Sequence, residues 1–375
     1  MKVLIVNTTE RTGGAAIAAN RLAKALRAEG VEVAAATRRR MWPFYAERLR
    51  IFLANRLSKH NLWLTDIACC GEDITRRREF QEADVVHLHW VNQGFLSLKD
   101  IGKILQSGKR IIWTMHDQWP YTAICHYAED CTCHQTHCRH CPQLVHPGAK
   151  DLSYRIFEQK QKMWQQADIT FVGCSRWMAD EARKSALARG HRIVSIPNAI
   201  DHRIFHPMPK AEARAVLDLP NDKSIVLFIC QKVTDERKGM RYLEEALKRL
   251  PDDIRLVRVG KGGDYEINDE QRMAAMYAAA DVFVTPSLQD NLPNTIVEAM
   301  SCGTPCVGFH VGGIPEMIHH QRDGYVARYR DANDLAEGIR YVLAHPGLQQ
   351  EAARYAHETY NESRVAQLYI KEYER

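Results

Sequence analysis

The sequence predicts an α/β protein built from two doubly wound parallel sheets. Its 375 residues exceed the usual size of one domain and suit two domains of about 150–200 residues each. Strand-like and helix-like segments alternate with short connections. The strand-like segments are continuous Val/Ile runs, as in sheets covered on both faces. The same alternation begins again at Ser224, so each half repeats one layered architecture.

The first half contains six predicted strands with helices between them. Short Val/Ile-rich runs define the strands, and apolar faces at helical spacing define the helices. Gly30 ends the first helix, since glycine is a preferred residue just beyond a helix terminus. The strands span residues 3–6, 31–36, 84–89, 110–115, 169–174 and 192–197, and the helices span residues 15–28, 98–105 and 176–187.

The second half repeats this alternation. Strands are predicted at residues 224–230, 255–260 and 281–285, and helices at residues 240–250 and 271–280. Prolines interrupt the periodicity over residues 197–207, as expected of a connection between domains. The predicted organisation is a first domain over residues 1–200, a second over residues 201–355, and a C-terminal helix over residues 356–375.

Composition and charge narrow the class of protein. Hydrophobic residues make up 45% and charged residues 26%, as in ordinary globular proteins, and the net charge of +5 does not require a nucleic-acid partner. No run of about 18 apolar residues predicts a membrane-spanning helix. The first residues have a strand pattern and lack the layout of a secretion signal. We therefore expect a cytoplasmic protein whose 11 cysteines are thiols or metal ligands.

Residues 285–307 carry the most informative pattern. A strand ending at Thr285 runs into a polar loop, and the loop opens into a helix that carries Glu298 and stops at Gly303. Helix N-termini present unpaired N–H groups and a partial positive charge, so this loop is a candidate phosphate cradle. A carboxylate inside the helix can accept hydrogen bonds from a sugar or ribose hydroxyl. In these features the chain resembles the donor-binding loop of retaining glycosyltransferases of the family 4 type.

That resemblance implies both a fold and a set of roles. The family has the GT-B fold, in which two Rossmann-like lobes face a central cleft and a C-terminal helix crosses back to the first lobe. It carries two acids eight positions apart, normally both glutamate, and this chain has Asp290 and Glu298 at that spacing. By resemblance, Glu298 holds the donor ribose, while Asp290 and the backbone of Asn291 and Leu292 face the transferred sugar. The aspartate side chain is one methylene shorter than glutamate. This difference affects whether the Asp290 carboxylate reaches the transferred sugar, and it affects the implied role of the loop less.

Two further segments match the family's donor site. Arg237 and Lys238 precede a helix predicted to begin at Gly239, where adjacent cations oppose the helix dipole unless an anion binds. The family uses such a pair, with the helix N-terminus near Asn294, to neutralise the leaving nucleoside diphosphate. No catalytic metal is therefore expected. The Gly-Gly-Ile-Pro-Glu segment at residues 312–316 resembles a family segment beside the donor.

Two strand ends in the first half carry further candidates. Gly13 and Gly14 form a strand-to-helix turn that permits close backbone approach to a diphosphate, and they match the family's Gly-Gly loop. His116 follows a predicted strand, where the family has a histidine that contacts the transferred sugar. Asp117 is the expected partner that fixes the tautomer of His116.

One segment of the family is missing from this chain. Only a few residues separate Gly263 from Gln271, whereas the family normally has a helix and a further strand there, which help to enclose the nucleobase. Specificity for the donor base is therefore not inherited. The implied reaction is glycosyl transfer with net retention, in which the acceptor hydroxyl attacks on the side from which the diphosphate departs.

Five of the 11 cysteines lie within residues 125–141. Cys138 and Cys141 have the spacing of half a zinc knuckle, and clustered cysteines in a cytosolic protein favour zinc. A similar insert occurs in a colanic acid- and O-antigen-like subgroup of surface-polysaccharide glycosyltransferases; it matches Cys125, Cys131, Cys138 and Cys141 and leaves Cys133 over. We expect a structural Zn²⁺ at those four residues. Disulfides, free thiols or an iron–sulfur cluster are the alternatives.

Residues 38–57 are basic, aromatic and partly amphipathic. Such a segment can lie on anionic lipid headgroups, here at the inner face of the cytoplasmic membrane. The alternative is a helix of the first domain with a solvated arginine face. The pattern alone does not separate these two interpretations.

The predicted function is transfer of a sugar from a nucleotide-sugar donor to a glycan or polyprenyl-linked acceptor in bacterial surface-polysaccharide biosynthesis. Two alternatives stay open. Another GT-B enzyme, such as a nucleotide-sugar epimerase or a phosphorylase, would favour different acids and, for a phosphorylase, a cofactor lysine. A zinc-containing binding protein for nucleic acid would need a basic stripe with interleaved aromatics near the cysteines, which this sequence lacks. No nucleic-acid partner is therefore expected.

Overall fold

Every strand of the chain belongs to one of two parallel sheets, which have six and five strands. The structure, a computed structural model, describes all 375 residues. The first unit contains Met1–Pro197 together with Val365–Arg375, and the second contains Asn198–Arg364. Each unit therefore has its own sheet and its own core.

The sheet of the first unit has the strand order β2-β1-β3-β4-β5-β6. Strands β3, β4 and β5 are almost entirely buried, because helices cover both faces of the sheet. Elements of this unit are β1 (Lys2–Val6), α1 (Gly14–Ala28), β2 (Glu32–Ala36), α2 (Trp42–Ala54), α3 (Arg78–Gln81), β3 (Val85–Leu88), α4 (Leu98–Leu105), β4 (Arg110–Met115), α5 (Leu152–Trp164), β5 (Ile169–Gly173), α6 (Arg176–Lys184) and β6 (Arg192–Ser195).

The sheet of the second unit has the strand order β11-β10-β9-β7-β8. Its elements are α7 (Lys210–Val216), β7 (Ser224–Lys232), α8 (Met240–Leu247), β8 (Ile254–Lys261), α9 (Glu270–Ala279), β9 (Val282–Thr285), α10 (Asn294–Ser301), β10 (Cys306–Phe309), α11 (Ile314–Met317), β11 (Gly324–Ala327), α12 (Ala332–Ala344) and α13 (Leu348–Thr359). Strand β8 is an edge strand, and residues 262–269 lead from it directly to α9. No strand follows β8 on that side, in agreement with the short segment between Gly263 and Gln271.

The C-terminal region contains two helices where the sequence predicts one over residues 356–375. Helix α13 ends at Thr359, and α14 (Glu362–Tyr373) begins after a break. The break has a local cause, because the Asn361 side chain accepts hydrogen bonds from the backbone N–H groups of Ser363 and Arg364. The predicted boundary at residue 355 therefore falls inside α13, and the second unit extends to Arg364.

From Val365 onward, α14 belongs to the first unit. The Tyr373 hydroxyl lies 2.7 Å from Nδ1 of His87 in β3. The Tyr369 hydroxyl lies 2.9 Å from the hydroxyl of Thr114 in β4. Arg192 and Glu372 form a two-pronged ion pair at 2.8 and 2.9 Å. The last turns of the chain are therefore part of the packing of the first sheet.

None of the helices combines the length and the apolar character needed to cross a bilayer.

The chain connections mark one position in each sheet where a ligand is expected. In the first sheet, β2 and β3 lie on opposite sides of β1; in the second, β8 and β9 lie on opposite sides of β7. Doubly wound sheets bind ligands beyond the carboxyl ends of the strands at such a reversal. Ligand binding is therefore expected at the loops that follow β7 and β9 and at those that follow β1 and β3.

Candidate functional site

Three loops of the second unit meet beyond the carboxyl ends of β7, β9 and β10. The backbone N–H of Leu288 donates to the carbonyl of Arg237 at 2.7 Å, which joins the first two loops. Two glycines allow this close approach. A Cβ at Gly239 would lie 1.9 Å from the carbonyl oxygen of Pro286, and one at Gly312 would lie 1.8 Å from that of Asp290. Both glycines also have positive φ, so any other residue would be strained as well as crowded.

The packing of these loops brings Lys238 against Asp290. The Lys238 ammonium lies 2.6 Å from a carboxylate oxygen of Asp290, although the two residues are 52 positions apart. Both side chains are only partly exposed, at 30% and 15%. Arg237 points instead to Asp235, with a 2.8 Å contact. The helix predicted to start at Gly239 begins at Met240, after a single 3₁₀ turn at Glu236–Lys238.

Helix α10 starts from the second of these loops. Its first residue is Asn294, preceded by Pro293, and no side chain caps its N-terminus. The Asn294 side-chain oxygen accepts a hydrogen bond of 2.9 Å from the amide of Asn198. Asn291 and Leu292 in the preceding loop are buried. Helix α10 thus begins directly after this loop, and the phosphate cradle at its N-terminus stays a prediction.

Glu298 lies one turn further along α10 and is buried. One of its carboxylate oxygens accepts a 2.8 Å hydrogen bond from the hydroxyl of Tyr277, in α9. Tyr277 has no exposed surface, so its ring fixes where this hydroxyl stands. Tyr277 thus fixes the position of this carboxylate, and a carboxylate is an acceptor for hydroxyl groups.

In the first unit, His116 follows the last residue of β4. Its Nε2 lies 2.9 Å from Nδ1 of His89, and its Nδ1 lies 3.6 Å from the sulfur of Cys174. Burial lowers the pKa of His116 to about 4. The ring is therefore uncharged near neutral pH and offers a hydrogen bond without a full charge.

The prediction that Asp117 fixes the tautomer of His116 is wrong. The Asp117 carboxylate accepts hydrogen bonds from the Trp90 indole at 2.6 Å, from His126 at 2.7 Å and from the backbone of Trp119 at 2.9 Å. Both oxygens of Asp117 thus accept hydrogen bonds from residues of the loops that follow β3 and β4, and none of these donors is His116. Burial opposes ionisation of Asp117, but His126 and the other donors together lower its pKa.

Gly13 and Gly14 lie at the start of α1, beyond the carboxyl end of β1. Both are exposed, and Gly13 has a φ of 92°. A Cβ on Gly13 would meet no atom within 4 Å, so this glycine serves its backbone conformation alone. The turn leaves the N-terminus of the 15-residue α1 without a side-chain cap.

The cysteines predicted to bind metal lie together in the first unit. Cys125, Cys131, Cys138 and Cys141 line one small cavity with Cys133. No group of three or more His, Cys, Asp or Glu side chains has the arrangement of a formed metal site. The thiols therefore share a cavity without closing on a common point.

Two residues beside the predicted candidates were not identified from the sequence. Tyr277 falls within a correctly placed helix, but its contact with Glu298 depends on how α9 and α10 pack. His89 is the last residue of the strand predicted at residues 84–89. It lies at the carboxyl end of β3, as His116 does at the carboxyl end of β4. Applying the strand-end criterion to β3 would have found it.

The chain matches two family models. Residues 12–203 match the model described as Glycosyltransferase Family 4, which spans just over half of the chain. Residues 223–345 match the model described as Glycosyl transferases group 1. The first match includes His116 and the cysteines, and the second includes the loops around Lys238 and Asp290.

Curated relatives match part of the chain. The putative colanic acid biosynthesis glycosyl transferase of Escherichia coli is 24% identical over 259 residues, which are 62% of this chain and 62% of that protein. The chain spans between 49% and 62% of the length of the first curated relatives it matches.

Solved structures match the whole chain. Sucrose-phosphate synthase from Thermosynechococcus elongatus superimposes with a TM-score of 0.72 at 19% identity, covering 100% of this chain and 98% of that one. Anabaena HepE in complex with UDP-glucose superimposes with a TM-score of 0.65 at 15% identity, covering 99% and 98%. The predicted GT-B fold of two parallel-sheet lobes is confirmed.

Proposed function

Because the chain belongs to glycosyltransferase family 4, we propose that it transfers a sugar, with retention, from a nucleotide-sugar donor to a glycan or polyprenyl-linked acceptor in bacterial surface-polysaccharide synthesis. One observation carries the proposal. Lys238, Asp290 and the start of α10 lie together at the point where the strand order of the second sheet reverses. Cation, carboxylate and helix N-terminus are the groups that a glycosyl diphosphate requires.

The chemistry follows from the charges that develop during transfer. Breaking the bond between sugar and diphosphate leaves negative charge on the diphosphate and positive charge on the sugar. In this proposal, Lys238, Arg237 and the N–H groups near Asn294 stabilise the diphosphate. When the donor binds, Lys238 leaves its ion pair with Asp290 and pairs with the diphosphate. The Asp290 carboxylate can then face the sugar.

The remaining donor contacts are assigned by the same logic. Glu298, held by Tyr277, accepts hydrogen bonds from the ribose hydroxyls of the donor. Asn291 and Leu292 line the loop that faces the sugar. For the first unit, the family resemblance assigns diphosphate binding to Gly13 and Gly14 and the transferred sugar to His116, and we keep these roles as part of the proposal. Anabaena HepE is described in complex with UDP-glucose, which supports a nucleotide-sugar donor for this fold.

A lipid-linked acceptor is supported by the surface of α2 and the loop that follows it. Seven of the eleven exposed large apolar side chains of the protein lie within residues 41–63; we call them the α2 surface. They are Met41, Trp42, Tyr45, Leu49, Leu53, Leu57 and Trp63. The residues 42, 45, 49 and 53 recur at helical spacing and form one stripe. Exposed Arg40, Arg50, Arg56 and Lys59 add positive charge nearby. We propose that this surface rests on an anionic membrane that carries the acceptor.

The test is a transfer assay with purified protein, a panel of UDP- and GDP-sugars, and polyprenyl-diphosphate-linked or free glycan acceptors. We expect one donor to be consumed only with acceptor, and the product to keep the donor's anomeric configuration by NMR. Lys238→Ala should lower transfer by more than about 10²-fold, the scale of one lost electrostatic group.

Lys248→Ala is the matched control, because Lys248 is an exposed lysine of the same unit that pairs only with Glu245. Its rate should stay within about twofold of the unmodified protein, since exposed ion pairs contribute little. An inverted product would remove the retaining mechanism. An altered nucleotide sugar formed without acceptor would favour an epimerase, and normal transfer by folded Lys238→Ala would refute the role of Lys238.

A further inference from the structure

Trp90 lies just beyond the carboxyl end of β3, at the position in the first sheet where the strand order reverses. The loop after β1 fixes its backbone. The Trp90 N–H donates to the side-chain oxygen of Asn7 at 3.0 Å, and its carbonyl accepts from the N–H of Thr8 at 2.7 Å and from the Thr8 hydroxyl at 2.8 Å. Trp90 itself is half-buried. This residue is therefore held at an edge of the sheet where a ligand is expected, and part of it stays exposed.

The only polar atom of the Trp90 side chain is already engaged. The indole N–H donates to the Asp117 carboxylate at 2.6 Å, and an indole has no other donor and no acceptor. A ligand can therefore meet this side chain only through the carbon surface of the ring. Such a surface suits a group with an apolar face, such as the C–H face of a pyranose ring, and does not suit a phosphate.

A chain of buried polar residues holds the indole in place. The Asp117 carboxylate lies 2.7 Å from Nδ1 of His126, and Nε2 of the same imidazole lies 2.6 Å from the Asp66 carboxylate. Asp66 in turn pairs with Arg48 of α2. Asp117, His126, Asp66 and Arg48 are all buried. The orientation of Trp90 is therefore set by contacts that reach back to α2.

This chain is a poor source of stability. Burial of charged groups costs desolvation free energy that their attraction only partly returns, and apolar residues of similar size often stabilise a fold better. What the chain supplies is a fixed orientation of the indole. A ring that is already oriented loses less conformational freedom when a ligand binds, so the arrangement favours binding more than folding.

Two buried polar atoms close to Trp90 in the chain have no hydrogen-bond partner. They are Nε2 of His89 and the side-chain amide nitrogen of Asn92, and both residues are buried. Most buried polar atoms in folded proteins are paired, and an unpaired one calls for a specific explanation, of which a functional role is one. The occurrence of two within residues 89–92 singles out this loop.

The loop that carries Trp90 also contacts the start of α2. A Cβ at Gly94 would lie 2.3 Å from the backbone nitrogen of Phe44, and Gly94 has a positive φ. Arg38 donates to the carbonyl of Gln93 at 2.6 Å. Helix α2 thus joins the loop of Trp90 to the α2 surface, which we propose to rest on the membrane that carries the acceptor. This connection favours the acceptor over the donor as the ligand of Trp90.

We propose that Trp90 stacks on a pyranose ring of the glycan acceptor, and that Asp117 and His126 are positioning residues that hold its indole. The inference rests on the proposed function, because it assigns the acceptor of that reaction to a particular side chain. Shortening of Trp90 should weaken acceptor binding and leave donor binding unchanged, since Lys238 and Glu298 lie in the second unit.

Steady-state kinetics of transfer test this assignment. Trp90→Ala should raise the acceptor KM by at least about tenfold, the scale for loss of an aromatic anchor, and should leave the donor KM unchanged. Trp90→Phe keeps a ring and loses the N–H, so it should raise the acceptor KM by less. Tyr154→Ala is the matched control, because Tyr154 is another half-buried ring of the first unit that stacks on a histidine, His137. It should leave both constants unchanged.

A binding measurement separates this proposal from the transfer reaction. In a nitrogen–proton correlation spectrum of the full-length protein, the Trp90 indole resonance is identified by its loss in Trp90→Phe. Titration with short oligosaccharides of glucose, galactose and N-acetylglucosamine, without donor, should shift that resonance. His126→Gln should move the resonance before any ligand is added and should raise the acceptor KM, because Asp117 loses one of the groups that hold it.

An unchanged acceptor KM in Trp90→Ala would overturn the proposal, and so would an indole resonance that none of the oligosaccharides shifts. A raised donor KM alone would assign the ring to the donor instead. If Trp90→Ala does not fold, Trp90→Leu keeps apolar bulk without an aromatic face and should still raise the acceptor KM.

The remaining outcomes separate the parts of the proposal. Normal kinetics and an unmoved resonance in His126→Gln would remove the positioning role alone. Absence of transfer with every donor, while oligosaccharides still shift the Trp90 resonance, would refute the proposed function and leave a sugar-binding site at Trp90.

Discussion

His116 is part of a row of three histidines beneath the carboxyl edge of the first sheet. The His87 and His89 ring centroids lie 4.2 Å apart, and those of His89 and His116 lie 5.1 Å apart. Burial lowers the pKa of His87 to about 3 and that of His116 to about 4, and it lowers the pKa of His89 well below its usual value. The folded protein therefore holds the three rings uncharged, where the unfolded chain would protonate them.

The stability of the first unit should consequently fall in mild acid. Unfolded histidines bind protons below about pH 6.5, whereas in the folded protein the pKa of His87 is about 3, that of His116 about 4, and that of His89 well below its usual value. The stability that depends on these uncharged rings is fully present above about pH 6.5 and is lost as the pH falls toward their folded pKa values. Urea unfolding at pH 7.5 and 5.5 should show a smaller pH effect for His116→Gln than for the unmodified protein. The control is His146→Gln, at an exposed position of the same unit, and equal pH effects in all three proteins would contradict the prediction.

For single residues, sequence patterns predicted where a candidate side chain lies better than they predicted which side chain it contacts. His116 is predicted from its place at a strand end, and β4 does end at Met115, directly before it. Lys238 and Asp290 are predicted from the cation pair at a helix start and from the spacing of the two acids, and they lie in the loops that follow β7 and β9. The contact between Lys238 and Asp290 joins two loops 52 residues apart, and no local pattern carries that information. For Asp117, its position next to His116 in the sequence predicted a contact that the structure lacks. Its carboxylate instead accepts hydrogen bonds from Trp90 and His126.

Helix α2 shows how one element can serve both a core and an external surface. Pro43, Glu47, Arg48 and Ile51 are buried on one side of it, while the α2 surface is exposed on the other. Arg48 forms ion pairs with Asp66 and Glu47, so this arginine belongs to the interior and not to a solvated face. Arg38 and Arg39 are also engaged, with the carbonyl of Gln93 and with Glu79. Lipid contact is therefore expected from the apolar stripe and the later cations.

Vesicle flotation tests this expectation. The protein should float with vesicles containing phosphatidylglycerol, and raising the salt concentration should weaken binding. Leu49→Gln with Leu53→Gln should lower the partition coefficient by at least about tenfold, because two leucines lose apolar burial. Val216→Gln is the control, since Val216 is the most exposed of the large apolar side chains and lies in the other unit. Equal flotation of the double variant, or none by the unmodified protein, would contradict the membrane proposal.

Other elements show which signals the sequence offers. Strand β4 and helix α4 have the predicted bounds, because each is a continuous or periodic run with clear ends. Helices α5 and α12 were not predicted, although Asp151 and Asp331 cap them by accepting backbone hydrogen bonds. The two aspartates are typical N-cap residues and could have indicated the start of each helix. For α2, the sequence left open which face would be buried, and contacts with distant loops decided it.

For the molecule as a whole, the end of the chain contributes to the fold of its beginning. Val365, Tyr369 and Tyr373 are buried in the first unit, and the two tyrosine hydroxyls contact Thr114 and His87. These contacts span more than 250 residues, so the first unit combines residues 1–197 with residues 365–375.

Removal of residues 365–375 should therefore destabilise the first unit. Loss of two buried tyrosines and a valine costs at least about 3 kcal/mol in apolar burial alone, and His87 loses a hydrogen-bond partner. Urea unfolding followed by tryptophan fluorescence measures the change. Removal of only Glu374 and Arg375, which are exposed, is the control and should shift the midpoint little. An unchanged transition in the longer truncation would show that α14 is dispensable for folding.

The sequence by itself determined the two parallel sheets, most strand positions and the family, because hydrophobic periodicity and short motifs are local properties of the chain. The tertiary structure alone decided which side chains meet: Lys238 with Asp290, Tyr277 with Glu298, and Tyr373 with His87. Those pairings depend on strand order and on the packing of loops and helices, which bring together residues that are far apart in the chain.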